Sequence, residues 1–155
     1  GGVGSIALQL ALAAGATVIA TARPGTEDEY VRSLGATHTV DYTGDVAAAV
    51  REHTADGVDK ALHVAGDAAI IGQTLRAGGT VATTLGATAE QLGRDDVTLA
   101  PIMAAATADK LAVLLDHVAK GNLRVNVEAS VPLDRAQEAF AFFADGTLGK
   151  VLVTR

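Results

Sequence analysis

The chain has 155 residues, enough for one domain with its own hydrophobic core, and 49% of them are apolar, which excludes a disordered tail. It contains no cysteine, which excludes disulfides and thiolate zinc sites, and its net charge of −6 without a basic run argues against nucleic acid as the main partner. The opening apolar segment is too short for a membrane span and lacks the charged flank of a signal peptide. We therefore expect a cytoplasmic protein with no membrane partner.

The first residues predict a phosphate-binding turn. Glycines open directly into an apolar helix over 3–14, which Gly15 ends, and a β-branched strand over 17–21 follows. Glycine lets the backbone pass close to a phosphate, and a helix N-terminus offers unpaired N–H groups and a positive dipole end. The alternative is a plain tight turn. The candidate pyrophosphate ligands are Gly1, Gly2, Val3 and Gly4.

The strand that precedes such glycines in a dinucleotide-binding unit is absent, because residue 1 already lies in the loop, and there is no initiator Met. We expect the chain to be part of a longer polypeptide.

Helices and short strands alternate through residue 84. The patterns predict helices over 26–34, 45–53 and 67–76, with strands over 38–42, 60–65 and 80–84. Thr26 and Glu29 have the spacing of a capping box, and Asp45 is placed to cap the next helix. This alternation predicts βαβ crossovers, and therefore an α/β fold with a doubly wound parallel sheet.

The regular alternation of helices and strands changes after residue 88. A strand is predicted over 96–103, from Asp96 to Met103, and Pro101 within it suits a sheet edge. Thr107 then caps an amphipathic helix that ends at Gly121. A strand over 125–131, a helix opened by an Asp134–Gln137 capping box and ended by Gly146, and a strand over 150–154 complete the chain. Three of the five aromatic residues lie in the last helix, so we expect 121–155 to have its own packing partner.

Six stretches together carry a resemblance to a known family. They are Gly1-Gly2-Val3-Gly4-Ser5-Ile6-Ala7, Leu34-Gly35-Ala36-Thr37, Val40-Asp41-Tyr42, Gly57-Val58-Asp59, Gly78-Gly79-Thr80-Val81, and Val131-Pro132-Leu133-Asp134 with Gly149-Lys150-Val151-Leu152-Val153. In this order and spacing, across essentially the whole chain, they resemble the medium-chain dehydrogenase/reductases. Within that superfamily the chain resembles the zinc-independent, quinone-oxidoreductase-like branch.

The resemblance implies two parts. Residues 1–120 would form an NADP(H)-binding Rossmann domain that lacks its first strand. Residues 121–155 would be a strand-helix-strand segment that returns to a GroES-like catalytic domain. Catalytic residues and any zinc ligands would then lie in an N-terminal part upstream of Gly1, and we expect this fragment alone to be inactive.

Two residues point to NADP(H) as the cofactor. Arg23 follows the second Rossmann strand, about 20 residues past the glycines, where NAD-selective domains place Asp or Glu. An arginine there can pair with a 2′-phosphate, although a solvated arginine is the alternative. By resemblance, Tyr42 aligns with a tyrosine beside the adenosine phosphate in NADPH-using quinone reductases; a half-buried tyrosine at a strand end is the alternative.

Two loops follow the strands over 60–65 and 80–84. Ligands of open α/β sheets bind outside the carboxyl ends of strands, so Gly66, Leu85 and Gly86 should face the cofactor. The resemblance assigns these loops to the nicotinamide half, and the alternative for the glycines is an ordinary turn. His63 in the strand is predicted to be a core histidine satisfied by hydrogen bonds. The four histidines lack the spacing of a zinc set, so no metal site is expected.

By this resemblance the function is an NADPH-dependent oxidoreductase that transfers hydride to a small molecule, namely a quinone, an enone or a related activated carbonyl compound. Alternatives within the superfamily are the enoyl-reductase domain of a polyketide synthase and a zinc-dependent alcohol dehydrogenase with its ligands upstream. A different class is a non-catalytic nucleotide-binding or dimerisation module. Related enzymes often pair cofactor-domain sheets edge to edge, which implies a homodimer through the strand over 96–103.

Overall fold

The structure is a computed structural model that describes residues 1–155 and confirms the α/β fold. Helices and strands alternate as α1(Gly2–Ala13), β1(Ile19–Thr21), α2(Thr26–Ser33), β2(His38–Val40), α3(Val46–His53), β3(Val58–His63), α4(Ala68–Thr74), β4(Leu75–Thr83), α5(Ala89–Leu92), β5(Thr98–Pro101), α6(Ala108–Ala119), β6(Val127–Pro132), α7(Ala136–Ala144) and β7(Lys150–Thr154). One 3₁₀ helix, Leu133–Arg135, precedes α7. None of the helices combines the length and apolar character needed to cross a bilayer.

All strand pairs are parallel, as predicted. β1 pairs with β2, β4 lies between β3 and β5, and β6 pairs with β7 in a third sheet. The first two sheets match positions 3-2 and 4-5-6 of the doubly wound order 3-2-1-4-5-6. No described strand takes position 1 of that order, and the location of such a strand upstream of Gly1 stays a prediction.

Two small hydrophobic clusters support these sheets. Val40, Val46 and Val50 form one cluster between β2 and α3. The other consists of Ala68, Leu75, Val81 and Leu92, and it joins β4 to α4 and α5. Val58 at the start of β3 packs against both clusters. The two sheets therefore share one apolar contact at the amino end of β3.

Two predicted capping boxes are wrong. α2 begins at Thr26 itself, with Gly25 as its N-cap at φ 94°, so the Thr26 side chain caps nothing. A 3₁₀ turn separates β6 from α7, whose N-cap is Arg135 without a side-chain cap, and Asp134 lies inside that turn. In both places the helix starts at a residue other than the one that the capping pattern assigns.

The predicted helix over 67–76 ends early. α4 ends at Thr74, and the chain enters β4 at Leu75, which is 1% exposed and pairs with Val58 of β3. Burial of Leu75 in the sheet outweighs the helical pattern. The sequence also missed the short helix α5, which has a complete capping box between Thr88 and Gln91.

Two apolar surfaces stay uncovered in the described chain. α6 buries none of its residues, and on α7 Phe140 and Phe143 are 74% and 65% exposed. The packing partner expected for 121–155 is thus not provided by the described residues, and the two-domain division at residue 120 stays a prediction. β5 lies at the edge of its sheet, as Pro101 indicated. A dimer through that edge stays a prediction.

Candidate functional site

The N-terminus of α1 differs electrostatically from those of the other helices. Ser5 N donates to Gly1 O at 3.0 Å, so the amide groups before Ser5 are those that an α-helix leaves without an internal partner. α1 has no side-chain cap and no acidic residue in its first turn. Every other α-helix has one or both. The positive end of the α1 dipole is therefore not compensated, as an anion site requires.

The glycines at this end of α1 do not lie tightly against a neighbouring strand. A Cβ on Gly1 would meet no atom within 4 Å, and one on Gly4 would make only an ordinary contact of 3.9 Å with Val64. A Cβ on Gly2 would run into the flexible end of the Lys150 side chain, whose Cε would lie 3.0 Å away. No neighbouring backbone forces glycine at Gly1, Gly2 or Gly4, and the space beside Gly1 is open.

Lys150 is the functional candidate that the sequence argument missed. Its side chain lies over Gly2 at the uncompensated end of α1, and its backbone N–H donates to Asn126 O at 2.8 Å. A lysine ammonium is a mobile point charge that suits phosphate binding. The only signal for it in the sequence was the Gly149-Lys150 pair within a quoted motif, and no local pattern connects that pair to residue 2.

A small cavity of about 10 Å³ lies beside this cation. Gly2, Tyr30, Asn126 and Lys150 are among the residues that line it. The Tyr30 hydroxyl is buried and has no hydrogen-bond partner. A cavity of this volume holds about one water, which could satisfy that hydroxyl.

Arg23 and Tyr42, the two residues predicted for the adenosine end, meet after the carboxyl ends of β1 and β2. The Arg23 guanidinium carbon lies 5.9 Å from the centre of the Tyr42 ring, within cation–π range. Both side chains also contact Glu27, in the first turn of α2. Arg23 donates to Glu27 Oε1 from Nε at 2.8 Å and from Nη2 at 2.6 Å, and the Tyr42 hydroxyl donates to the same oxygen at 3.2 Å.

This cluster shifts the titration of its members. Burial acts to raise the pKa of Glu27, but hydrogen bonds from the Arg23 side chain and backbone outweigh it, so the pKa lies below its ordinary value of 4.5. Burial and the bond to Glu27 raise the pKa of Tyr42 above 10.0. The bond to Glu27 raises the pKa of Arg23. The cluster therefore holds a carboxylate, a guanidinium and a neutral phenol at neutral pH.

A cleft of about 340 Å³ opens at the carboxyl ends of β3 and β4. Its lining includes Gly66 and Leu85, two residues predicted for the nicotinamide half, together with Asp67, Ala87 and Gln91. Gly86 itself is not among the lining residues; it turns the chain beside the cleft at φ 68°. The structure thus brings the two predicted loops together around one opening.

A relay of hydrogen bonds fixes these two loops. Leu85 N donates to Thr83 Oγ1 at 3.2 Å, and Thr83 Oγ1 lies 3.1 Å from His63 Nδ1. His63 Nε2 lies 3.1 Å from Gly66 O. Because the Gly66 carbonyl can only accept, His63 Nε2 donates to it, and Nδ1 forms its hydrogen bond with the Thr83 hydroxyl. His63 is 3% exposed, which confirms it as a core histidine satisfied by hydrogen bonds.

The predicted site residues therefore form three groups, at the N-terminus of α1, after β1 and β2, and after β3 and β4. The structure contains no group of three or more His, Cys, Asp or Glu side chains that could hold a metal. His38 and His53 stack on each other with ring centroids 4.1 Å apart, and they do not belong to a group of three donor side chains that could hold a metal.

Comparisons with known proteins agree with this fold. The family model described as zinc-binding dehydrogenase matches residues 2–104. A chloroplast envelope quinone oxidoreductase homolog from Arabidopsis thaliana is 30% identical over 99% of this chain and 49% of its own length. A solved NAD-dependent alcohol dehydrogenase superposes with a TM-score of 0.84 at 26% identity, over 97% of this chain and 47% of its own. The CurK enoyl reductase superposes with a TM-score of 0.79 at 28% identity, over 99% and 52%.

The chain spans about half the length of these relatives. The name of the matched family refers to zinc, but the residues of this chain do not form a zinc ligand set, since cysteine is absent and no three donor side chains converge.

Proposed function

The chain belongs to the zinc-binding dehydrogenase family, a family of oxidoreductases. From that premise we propose that it is the NADP(H)-binding part of a quinone-oxidoreductase-like reductase. Its substrate would be a quinone, an enone or a related activated carbonyl compound. Residues 1–120 would form the Rossmann domain that holds most of the cofactor, and residues 121–155, which include Lys150, would return to a GroES-like catalytic domain. The observation that carries the cofactor assignment is the uncapped N-terminus of α1 with Lys150 over it.

Each of the three groups of residues would bind a different part of the cofactor. The amide groups at Gly1, Gly2, Val3 and Gly4, with the Lys150 ammonium, would bind the pyrophosphate. Arg23 and Tyr42 would face the 2′-phosphate, and the loops at Gly66, Leu85 and Gly86 would hold the nicotinamide half. Parallel strands place such groups at the carboxyl ends of a sheet, where dinucleotides bind.

The bound cofactor would supply the hydride, and this chain would supply binding and orientation. The relay through His63 and Thr83 would keep the Gly66 and Leu85 loops at a fixed separation around the cleft. A fixed separation limits the positions that a bound ring can take, which favours one transfer geometry. No side chain of the described cleft is assigned as acid, base or nucleophile.

An enoyl reductase is the second candidate, supported by the likeness to CurK over 99% of this chain. The same cofactor site would serve both reactions, because the acceptor would bind outside the three groups. Activity assays of the whole protein with a quinone and with an enoyl thioester would separate the two candidates.

Ligand-dependent stability tests the cofactor assignment. A ligand that binds only the folded state raises the melting temperature, by the equivalent of about 2.7 kcal/mol at a hundred times its dissociation constant. We expect NADPH to stabilise the protein more than NADH does. The absence of a shift with either dinucleotide would contradict the proposal and favour a module without turnover.

Arg23→Asp tests the choice between the two cofactors. It replaces the 2′-phosphate partner with a carboxylate that can accept from a ribose hydroxyl, so the ratio of NADPH to NADH affinity should fall by at least about tenfold. Arg155→Asp makes the same charge change at the C-terminus and serves as the control. An unchanged ratio in the Arg23 variant would exclude its role at the 2′-phosphate.

A further inference from the structure

Glu27 occupies the position at which the adenosine end of a cofactor would be recognised. Gly25, at φ 94° and ψ −134°, turns the chain sharply after Arg23, so that α2 begins at Thr26 and its first turn faces back toward β1. Glu27 Oε2 then accepts the backbone N–H of Arg23 at 3.0 Å. That bond holds the Glu27 carboxylate beside Arg23, which lies two residues past the end of β1, although Glu27 is four positions further along the chain.

The Glu27 carboxylate takes the donors that a 2′-phosphate would need. It binds the Nε and Nη2 edge of the Arg23 guanidinium, which is the edge that pairs with a planar anion side-on. It also accepts the only hydroxyl proton of Tyr42. A phosphate would have to use the remaining Nη1 edge of Arg23, or displace the carboxylate.

The charge around Arg23 also opposes a second anion. Asp41 adds to the negative field at Arg23, while the neighbouring acid Asp28 is paired with Arg32 at 2.8 Å. The Arg23 side chain is 60% exposed, and that of Glu27 is 23% exposed. A phosphate that carries close to two negative charges would therefore meet a guanidinium whose charge Glu27 already neutralises.

We propose that Glu27 is a specificity-determining residue that weakens recognition of the cofactor 2′-phosphate and thereby lets the site accept both NADPH and NADH. This inference rests on the proposed function and deepens it. A ribose 2′-hydroxyl can donate to Glu27 Oε2, which accepts only one bond from the protein. The same carboxylate thus repels the phosphate of one cofactor and accepts the hydroxyl of the other.

The alternative is that Glu27 orients Arg23 for the phosphate. The two roles predict opposite signs when the carboxylate loses its charge. Glu27→Gln keeps the size of the side chain and an oxygen that can accept the Arg23 N–H, but it removes the like charge near the phosphate. We expect binding of NADPH and of adenosine 2′,5′-bisphosphate to tighten on the order of tenfold, and binding of NADH to weaken slightly.

Glu29→Gln is the matched control. Glu29 lies in the same first turn of α2 and carries the same charge, but it is exposed and its carboxylate makes no hydrogen bond in the structure. We expect its effect on all three ligands to stay within about twofold, because an exposed charge is screened by solvent. Dissociation constants from titration calorimetry measure these changes independently of turnover, and thermal melting of each variant confirms that it is folded.

The outcomes separate the two proposals. If the wild-type protein binds NADPH or NADH and Glu27→Gln leaves their affinity ratio unchanged, or lowers it, the role of Glu27 is overturned while the proposed function stands. If the wild-type protein binds neither dinucleotide, both proposals are overturned. A rise in the ratio for Glu27→Gln that Glu29→Gln matches would also overturn the role of Glu27, since the effect would then be one of net charge alone.

Discussion

At the scale of single residues, the buried hydroxyl of Thr83 has two hydrogen-bond partners, and its removal would leave both without it. It is 1% exposed, and it both accepts from Leu85 N and lies within bonding distance of His63 Nδ1. A buried group that loses its partner costs more than the bond itself contributes, because the remaining polar atom is left without water. Thr83 therefore couples core stability to the geometry of the cleft.

Thr83→Val keeps the shape of this side chain and removes the relay. We expect the free energy of unfolding to fall by about 1–3 kcal/mol, because His63 Nδ1 and the Leu85 amide both lose a buried partner. Urea denaturation measures the change. Thr80→Val, on the same strand and without a side-chain hydrogen bond, should change stability by less than about 0.5 kcal/mol. Equal effects of the two variants would contradict a role for the relay.

At the scale of helices and strands, the glycine between α3 and β3 allows the chain to lie close to the start of β4. Gly57 has φ 97°, and a Cβ there would lie 2.6 Å from Thr74 O and 2.8 Å from Arg76 N. The α3–β3 turn thus lies directly against the junction where α4 ends and β4 begins. Only a residue without a side chain allows that approach.

Gly57→Ala should therefore be among the most destabilising single changes in the protein. The new methyl group meets backbone atoms, which cannot move aside as a side chain can, and alanine is strained at a positive φ. We expect a loss of about 2–4 kcal/mol in the free energy of unfolding, measured by thermal or urea denaturation. Gly44→Ala is the control, because its Cβ would lie 3.8 Å from the nearest neighbour and its φ is not positive. Similar losses in both would contradict the steric account.

Local chemistry explains which elements could be predicted. Glycines at the ends of helices adopt the positive φ that their residue type favours, as at Gly15, Gly35, Gly121 and Gly146. Asp45 and Thr107 cap their helices, as predicted, and Asp67 caps α4. These features depend on a few neighbouring residues and are therefore readable in order along the chain.

Features that depend on distant residues could not be predicted in this way. Thr26 and Glu29 fit the spacing of a capping box, but α2 has no side-chain cap. The acid of its first turn that makes hydrogen bonds back to the preceding residues is Glu27, which accepts the backbone N–H of Arg23. Glu27 also accepts from Tyr42, which lies beyond β2. Lys150 reaches Gly2 only because β7 lies beside the N-terminus of α1. The family motifs predict the residues of the three groups, whereas the contacts of Lys150 with Gly2 and of Glu27 with Tyr42 join residues distant in sequence.

At the scale of the whole molecule, hydrogen bonds between Gln9 and Arg124 connect the C-terminal segment to α1. The Gln9 side-chain amide donates to Arg124 O at 2.9 Å, and its oxygen accepts from Arg124 N at 2.7 Å. The Arg124 guanidinium also donates to the Ser33 hydroxyl at 2.6 Å. Gln9 thus binds the backbone before β6 much as a neighbouring strand would.

Gln9→Ala should loosen this connection without unfolding the sheets. We expect hydrogen exchange at the Arg124 amide and in β6 to become faster by about an order of magnitude, while exchange in β3 and β4 stays unchanged. Mass spectrometry of peptic fragments after labelling measures this. Gln73→Ala, at an exposed position on α4, is the control. Uniformly faster exchange across all strands would show instead that Gln9 supports the whole fold.

The Arg23–Glu27–Tyr42 cluster also gives the protein a built-in optical reporter. The chain has no tryptophan and only two tyrosines, and the hydroxyl of the other one, Tyr30, is buried and has no hydrogen-bond partner. Carboxylates that accept a phenol proton quench its fluorescence, so Tyr42 should be dim while Glu27 holds it. Any ligand that draws Glu27 away, or replaces it as the acceptor, will change the emission of a single residue. Tyrosine fluorescence would therefore report, in unlabelled protein, whether a dinucleotide binds beside Glu27 as we propose.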